Sequence, residues 1–414
     1  MRRSTHTLAL VLAALVLVAA CAGCTGGGTG QGGAVPENGY RTVVDSRGVA
    51  VQVPMNIERV VTISDGLVEE VMLVLGEEEK IVGLGSAWSC TQWVNNVTYK
   101  TVSNATYEYR GGMQPPVYLY PRIRDLPLIA KSRPGTNFEA LAGLDPDVVI
   151  LRVGDCVLPS MKNEGVQETV RIIEDLGIPV VVLTAHRCYD EPDLSMIYDE
   201  ISIIGQVFGK KDEAIELAGY LEREIEFVKK RTKDIPDAER PTVLIFAPSQ
   251  SARKAGAAGI VRGTNEIRSY FIEEVVHAKN ACQDPGSPYI STEQLLALDP
   301  DVILLAGGHP SEELYSAPDF QNIGELSAIK NHRISSLPWE PCDCAIRLEY
   351  PINVMVIAKA AYPERFADVD LAEWLLEFYQ KVYGVDRATA EGLRSAQWMD
   401  WCVEGWTPAR GTSS

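Results

Sequence analysis

One stretch of this chain occurs twice. Glu139-Ala-Leu-Ala-Gly-Leu-Asp-Pro-Asp-Val-Val-Ile150 returns as Glu293-Gln-Leu-Leu-Ala-Leu-Asp-Pro-Asp-Val-Ile-Leu304. Each copy reads as a short helix, a turn and a buried strand. Asn137 or Thr136 is placed to cap the first helix, and Ser291 with Gln294 spells a capping box for the second. Asp-Pro ends each helix, because the residue before a proline is pushed out of the α region. The runs Val148–Leu151 and Val302–Leu305 are apolar on both faces, as parallel strands covered by helices on either side must be. A helix–strand unit used twice constrains the chain to two α/β lobes of one kind.

The flanking pattern agrees. Arg59–Ser64, Lys80–Gly85 and Ile178–Thr184 read as further strands of the first lobe, with helices over 66–75 and 169–176. Thr242–Phe246 opens the second sheet and His332–Leu337 closes it. Between them a helical pattern runs from Lys211 to Thr232 and stops near Pro236, with Ala214, Ile215, Leu217, Leu221, Ile225 and Val228 assigned to one face. One long helix between two lobes is a stiff link, so large hinge motion is not expected. The fold class expected is α/β: two doubly wound lobes, 41–210 and 236–365, joined by one long rigid helix, 211–235, with helices and a tail over 366–414.

The first residues are of a different character. Arg2 and Arg3 precede an apolar run from Leu8 to Ala20, shorter than the roughly 20 residues a membrane-spanning helix needs, which suits a signal peptide of the Sec type. Val18-Ala-Ala-Cys21 has the small residues a lipoprotein peptidase requires, with Cys24 as a second lipidation candidate. The expected division is a lipoprotein signal over 1–21 and a Gly-rich flexible tether over 22–40. A formal charge of −18 argues against nucleic acid and anionic headgroups as partners, so membrane contact is expected through the lipid alone. Nine cysteines suit an exported chain. Cys156 and Cys188, after neighbouring strands, are candidates for a bridge, and Cys342 and Cys344 follow Trp339 in a loop.

No Ser/His/Asp order, phosphate-cradling glycine loop or metal-ligand cluster appears, and His186, His277, His309 and His332 are scattered. An enzyme is therefore not expected, nor is a bound metal or a cofactor. Ligands of open α/β sheets lie beyond the carboxyl ends of the strands. That rule nominates Trp88, Arg133 and Arg152 in the first lobe and Arg253, Arg262, Trp339 and Arg347 in the second. Arginine forks suit carboxylate or oxyanion oxygens, and aromatic rings stack on a chelate or macrocycle.

The ordered set Thr42–Gly48 with Pro54, Arg59-Val-Val with Glu69, Leu75-Gly76 with Ile81-Val-Gly83, both Leu-Asp-Pro-Asp repeats, and Ile329–Ile334 leading to Ala360, Tyr362, Pro363 and Glu364 resembles the class III solute-binding proteins, the iron-siderophore and vitamin B12 type. The resemblance spans Arg41 to about Phe366. It implies two lobes bridged by a long helix, a ligand in the cleft between them, and delivery to an ABC permease and its ATPase by a monomeric extracytoplasmic protein. It also implies that Glu139 and Glu293, one on each lobe, meet arginines of the permease. Arg133 and Ser287 stand where vitamin B12 binders carry other residues. The ligand expected is an anionic iron chelate, with a molybdate- or tungstate-type oxyanion or a corrinoid as alternatives. A surface receptor that senses ligand without transport would share the fold.

Overall fold

The computed structural model describes residues 39–85, 97–100, 106–109, 114–130, 135–155, 157–248, 250–306, 323–337 and 346–397, with positions 311, 314, 399, 400 and 403. An antiparallel hairpin of β1 (Tyr40–Val44) and β2 (Ala50–Pro54) leads into the first lobe. There β3 (Val60–Ile63), β4 (Ile81–Leu84), β7 (Val148–Val153) and β8 (Val180–Thr184) form a wholly parallel sheet in the order β4-β3-β7-β8. Every residue of β3 and β7 is buried, as strands covered on both faces must be. The strand order reverses between β3 and β7, which opens a crevice beyond their carboxyl ends.

The helices of this lobe are α1 (Leu67–Val74), α2 (Pro115–Leu119), α3 (Phe138–Gly143), α4 (Glu164–Asp175) and α5 (Ser195–Phe208). The segment between β4 and α3 supplies a small hairpin of β5 (Val97–Lys100) and β6 (Thr106–Tyr109) together with α2. Helix α4 starts ahead of the expected Thr169, because the Asn163 side chain caps it through the Gly165 and Val166 amides.

The connecting helix α6 (Lys211–Thr232) buries Ala214, Leu217, Leu221, Ile225 and Val228. Ile215, counted on that face from the sequence, is 54% exposed. It lies one residue, about 100°, round the helix from Ala214, and the true stripe passes beside it.

The second lobe contains β9 (Thr242–Ala247), β10 (Gly259–Val261), the short α7 (Ile267–Tyr270) running on into a π-turn (Phe271–Val275), β11 (Lys279–Asn280), β12 (Tyr289–Ile290), α8 (Thr292–Leu298), β13 (Val302–Leu305) and β14 (Ile334–Ser336). Its sheet runs β12-β10-β9-β13-β14, with β11 also paired to β9. Strands β9, β13 and β14 are parallel, and β10 is an antiparallel addition.

The sequence duplication has a backbone counterpart. The Asn137 side chain caps α3, and Ser291 with Gln294 forms the expected capping box on α8. Asp145 and Asp299 both turn into the left-handed region, φ 44° and 37°, immediately before their prolines. The second aspartate of each repeat is a clamp. Asp147 Oδ2 accepts from the amides of Glu58 and Arg59 at 2.7 and 2.9 Å, and Asp301 Oδ2 accepts from the Thr242 amide and hydroxyl at 2.8 and 2.9 Å. Each carboxylate therefore ties the first strand of its lobe to the strand the repeat itself supplies.

The C-terminal helices α9 (Tyr350–Ala361), α10 (Leu371–Tyr383) and α11 (Arg387–Ala396) complete the packing. One apolar cluster takes in Val60 and Val148 of the first sheet, Leu221 and Ile225 of α6, Val243 and Val302 of the second sheet, and most of α9 and α10. Alternate strand residues face outward into two separate smaller cores: Val61, Ile63 and Val149 in one, Leu244, Phe246 and Ile303 in the other. The lobes thus share an interior. Hinge opening would expose it to water at roughly 25 cal/mol for every Å².

Candidate ligand-binding cleft

Beyond the carboxyl ends of β3 and β7 lies a buried ionic network. Arg152, the fifth residue of β7, has no exposed side-chain surface. Its guanidinium donates twice to Glu200 of α5, at 2.6 and 2.9 Å, and once each to Asp65 Oδ1 and the Ile346 carbonyl, both at 3.3 Å. Asp155 Oδ1 accepts from the amides of Val157 and Leu158 at 2.8 and 3.0 Å. Burial, followed by the charge of Asp65, pushes the Asp155 carboxyl well above its ordinary range.

A second knot joins α1 to the segment before α9. Arg347 lies 3.7 Å from Glu70, whose other oxygen accepts from the Leu348 amide at 3.1 Å. Burial and then the nearby Glu349 raise the Glu70 carboxyl well above its usual value. Gly66 is obligatory beside this knot: its φ is 132°, and a Cβ there would come within 2.8 Å of Gln114 Oε1 and 3.0 Å of Arg347 Nε. Both arginines nominated here from the sequence thus lie at the seam between the lobes, against carboxylates of the protein itself.

A cavity of about 360 Å³ opens between the lobes. His186 and Arg187, just past β8, line it from the first lobe. Arg262, Asn265–Arg268, Gly286 and Ser287 line it from the second. Arg262 donates to Ser287 Oγ at 2.6 Å, and Ser287 in turn donates to Glu266. His186 and Arg268 are each only 4% exposed. The Nδ1 atom of His186 has no hydrogen-bond partner. Burial, then Arg152, Arg268 and Arg187, holds its imidazole well below the ordinary histidine range. The described lining residues include three guanidinium groups, Arg187, Arg262 and Arg268, and the Glu266 carboxylate.

A larger depression of about 650 Å³ lies on the outer face between α6 and α10, lined by Tyr220, Glu224, Trp374 and Glu377 among others. Its described lining comes from α6, α10 and the residues just after α10, and Trp374 Nε1 already donates to Glu224 there at 3.0 Å. The cavity at the seam, with cationic groups from both lobes, is the better candidate.

Of the residues nominated from the sequence, Arg262 lines this cavity, beside Ser287, and Arg152 lies near His186. Arg253 is half-buried on the single helical turn Gln250–Lys254 after β9. Glu139 and Glu293 are exposed, each the second residue of its helix. Cys21, Cys24, Trp88, Arg133, Cys156, His309, Trp339, Cys342 and Cys344 lie outside the described residues. Among the described residues no group of three or more His, Cys, Asp or Glu side chains is arranged to hold a metal. No helix there is long and apolar enough to cross a membrane. Sequence reasoning passed over His186 and Arg187, although the strand-end rule that selected Arg152 selects them too. Arg268, inside a helix, carries no such signal.

The protein is similar to the molybdate-binding protein MolA of Haemophilus influenzae, 25% identical over 270 residues that make up 60% of this chain and 70% of that one. The structure of that protein bound to molybdate superposes with a TM-score of 0.61 at 21% identity, covering 84% of this chain and 98% of the other. A periplasmic solute-binding protein from Veillonella parvula gives a TM-score of 0.64 at 20% identity over 87% and 99%. CeuE of Helicobacter pylori, in a nickel–histidine complex, gives 0.57 at 17% over 85% and 98%. The family described as periplasmic binding protein matches residues 65–341. With two α/β lobes around a cleft and that match over most of its length, the chain belongs to the periplasmic binding proteins, the non-enzymatic substrate-binding components of ABC transporters.

Proposed function

We propose that this protein captures a small oxyanion of the molybdate or tungstate class and delivers it to an ABC permease. The observation that carries the reading is the convergence of Arg187, Arg262 and Arg268 from both lobes on one cavity. A cavity of about 360 Å³ is near the lower end of the range for small-molecule sites, which favours an oxyanion over the bulkier chelate that the sequence ranked first. Similarity to a molybdate-binding protein supports the same choice.

Calorimetric titration of the chain with molybdate, tungstate, a ferric siderophore, haem and cobalamin separates these possibilities. Arg262→Gln and Arg187→Gln are each expected to weaken oxyanion binding about 10- to 150-fold, the worth of one charge-assisted hydrogen bond. Tight binding of neutral cobalamin or of the siderophore, with no response to oxyanions, refutes the assignment.

We also propose that the chain is held at the outer face of the membrane by a lipid on Cys21 or Cys24. The short apolar run Leu8–Ala20, the small residues before Cys21 and the Gly-rich segment after it support this. Replacing both cysteines with serine should move the protein from the membrane to the soluble fraction on fractionation. Undiminished membrane retention excludes the anchor.

A further inference from the structure

Ala185-His186-Arg187-Cys188 closes β8 with one tight turn. The Ala185 amide donates to the Val153 carbonyl at 2.8 Å, and the Cys188 amide to the Ala185 carbonyl at 3.0 Å. The turn packs so closely on Gly154 that a Cβ there would lie 2.5 Å from Cys188 Sγ. His186 is therefore held in one place, its imidazole lining the cavity and its Nδ1 enclosed without a hydrogen-bond partner. An imidazole lining a binding cavity offers a ring nitrogen to an entering ligand, and no protein group competes for it.

The groups around this imidazole come from four directions. Arg152 approaches from β7, held by Glu200 of α5 and Asp65 after β3. Arg268 approaches from α7, Arg187 belongs to the same turn, and Arg262 and Glu266 line the cavity. Cys188 closes the same turn, and Asp155 lies near Cys188 and Arg152. A ring facing this much positive charge stays neutral while the cavity is empty. A dianion entering among the arginines reverses the local field, and imidazolium then becomes the favoured form, donating a ring N–H to an oxygen of the anion.

Resting on the oxyanion reading of the cavity, we propose that His186 is a ligand-binding residue that takes up one proton from solvent as the anion enters, so that capture is proton-coupled. The proton passes from solvent or buffer to the imidazole and returns when the anion leaves. The linkage has a definite sign. The empty protein holds His186 neutral because its pKa is depressed, and the bound anion raises that pKa. Affinity is therefore highest at low pH and is lost as pH rises through the value of the bound form, by up to about tenfold per pH unit.

The test is calorimetry of the full chain with molybdate and with tungstate, between about pH 6 and pH 8, in buffers of different ionisation heat. The unsubstituted protein should take up close to one proton per anion. His186→Gln keeps a neutral hydrogen-bond donor and should bind with pH-independent affinity and no proton uptake. His186→Asn, with an unfolding curve for each variant, guards against a folding defect. Binding without proton uptake, or the same uptake in His186→Gln, overturns the proposal while leaving the oxyanion site standing; the proton would then belong to a carboxyl such as Asp155, or there is none. If neither anion binds the unsubstituted protein, the oxyanion reading falls and takes this one with it.

Discussion

Arg152→Met is expected to cost about 3–5 kcal/mol of folding stability at neutral pH, a large share of what a typical domain has. The methionine fills much of the same volume, so the loss is electrostatic. It strands Glu200 and Asp65 in an interior where Arg152 is their hydrogen-bonded counter-ion. Stranded buried carboxylates have raised pKa values in the folded state. Their destabilising effect is therefore greatest at neutral and alkaline pH and shrinks as pH falls and they protonate. Urea midpoints at two pH values measure both the loss and its trend. Arg152→Met with Glu200→Gln should recover part of the loss, because one stranded charge is gone. A loss below about 1 kcal/mol with no pH dependence would show that the network is solvated or rearranges freely.

The second large effect concerns transport. We propose that Glu139 and Glu293 dock the permease. Reversing both to lysine should abolish uptake while ligand affinity stays within a few-fold of the parent. The two residues hold the same position in duplicated helices, one on each lobe, and both are exposed. In the first turn of α8 the backbone amides lower the pKa of Glu293, so it carries its charge across the physiological range. Exposed carboxylates facing arginines govern encounter rate and geometry more than depth of binding. The reversal opposes the helix dipole at each site, a structural cost that solvent screening keeps too small to mimic a lost dock. Uptake into proteoliposomes carrying the permease and its ATPase, alongside calorimetry of the isolated variant, reads the two quantities separately. A collapse of ligand affinity would move these residues from dock to cleft or fold.

The parts of the fold that were legible in the sequence are those encoded by neighbours. The caps at Asn137 and Ser291, the stop at each Asp-Pro, and the span of α6 all follow from residues within a turn or two of one another. The seam was not legible in the same way. The sequence puts Arg152 just past a strand, and it is the fifth residue of β7; its partners lie 48 and 87 residues away, and nothing local shows that its fork is met by Glu200 and Asp65. His186 was weighed as a metal ligand and passed over for lack of companions. Its surroundings are arginines drawn from β7 and α7, a neighbourhood that only the folded chain assembles. Ile215 shows the limit of periodicity alone: an apolar residue one step from the buried stripe is indistinguishable from a member of it until the neighbouring helices are in place.

The interior shared by the two lobes has a consequence at the importer. A protein that cannot swing open presents nearly the same silhouette whether its cavity is full or empty. Loaded and empty copies then compete for one receptor on comparable terms. Flux through such a system follows the proportion of copies that carry cargo, and overproducing the binder when cargo is scarce obstructs its own delivery. The rigidity that holds the cavity in shape would thus set an upper limit on how abundant the protein can usefully be.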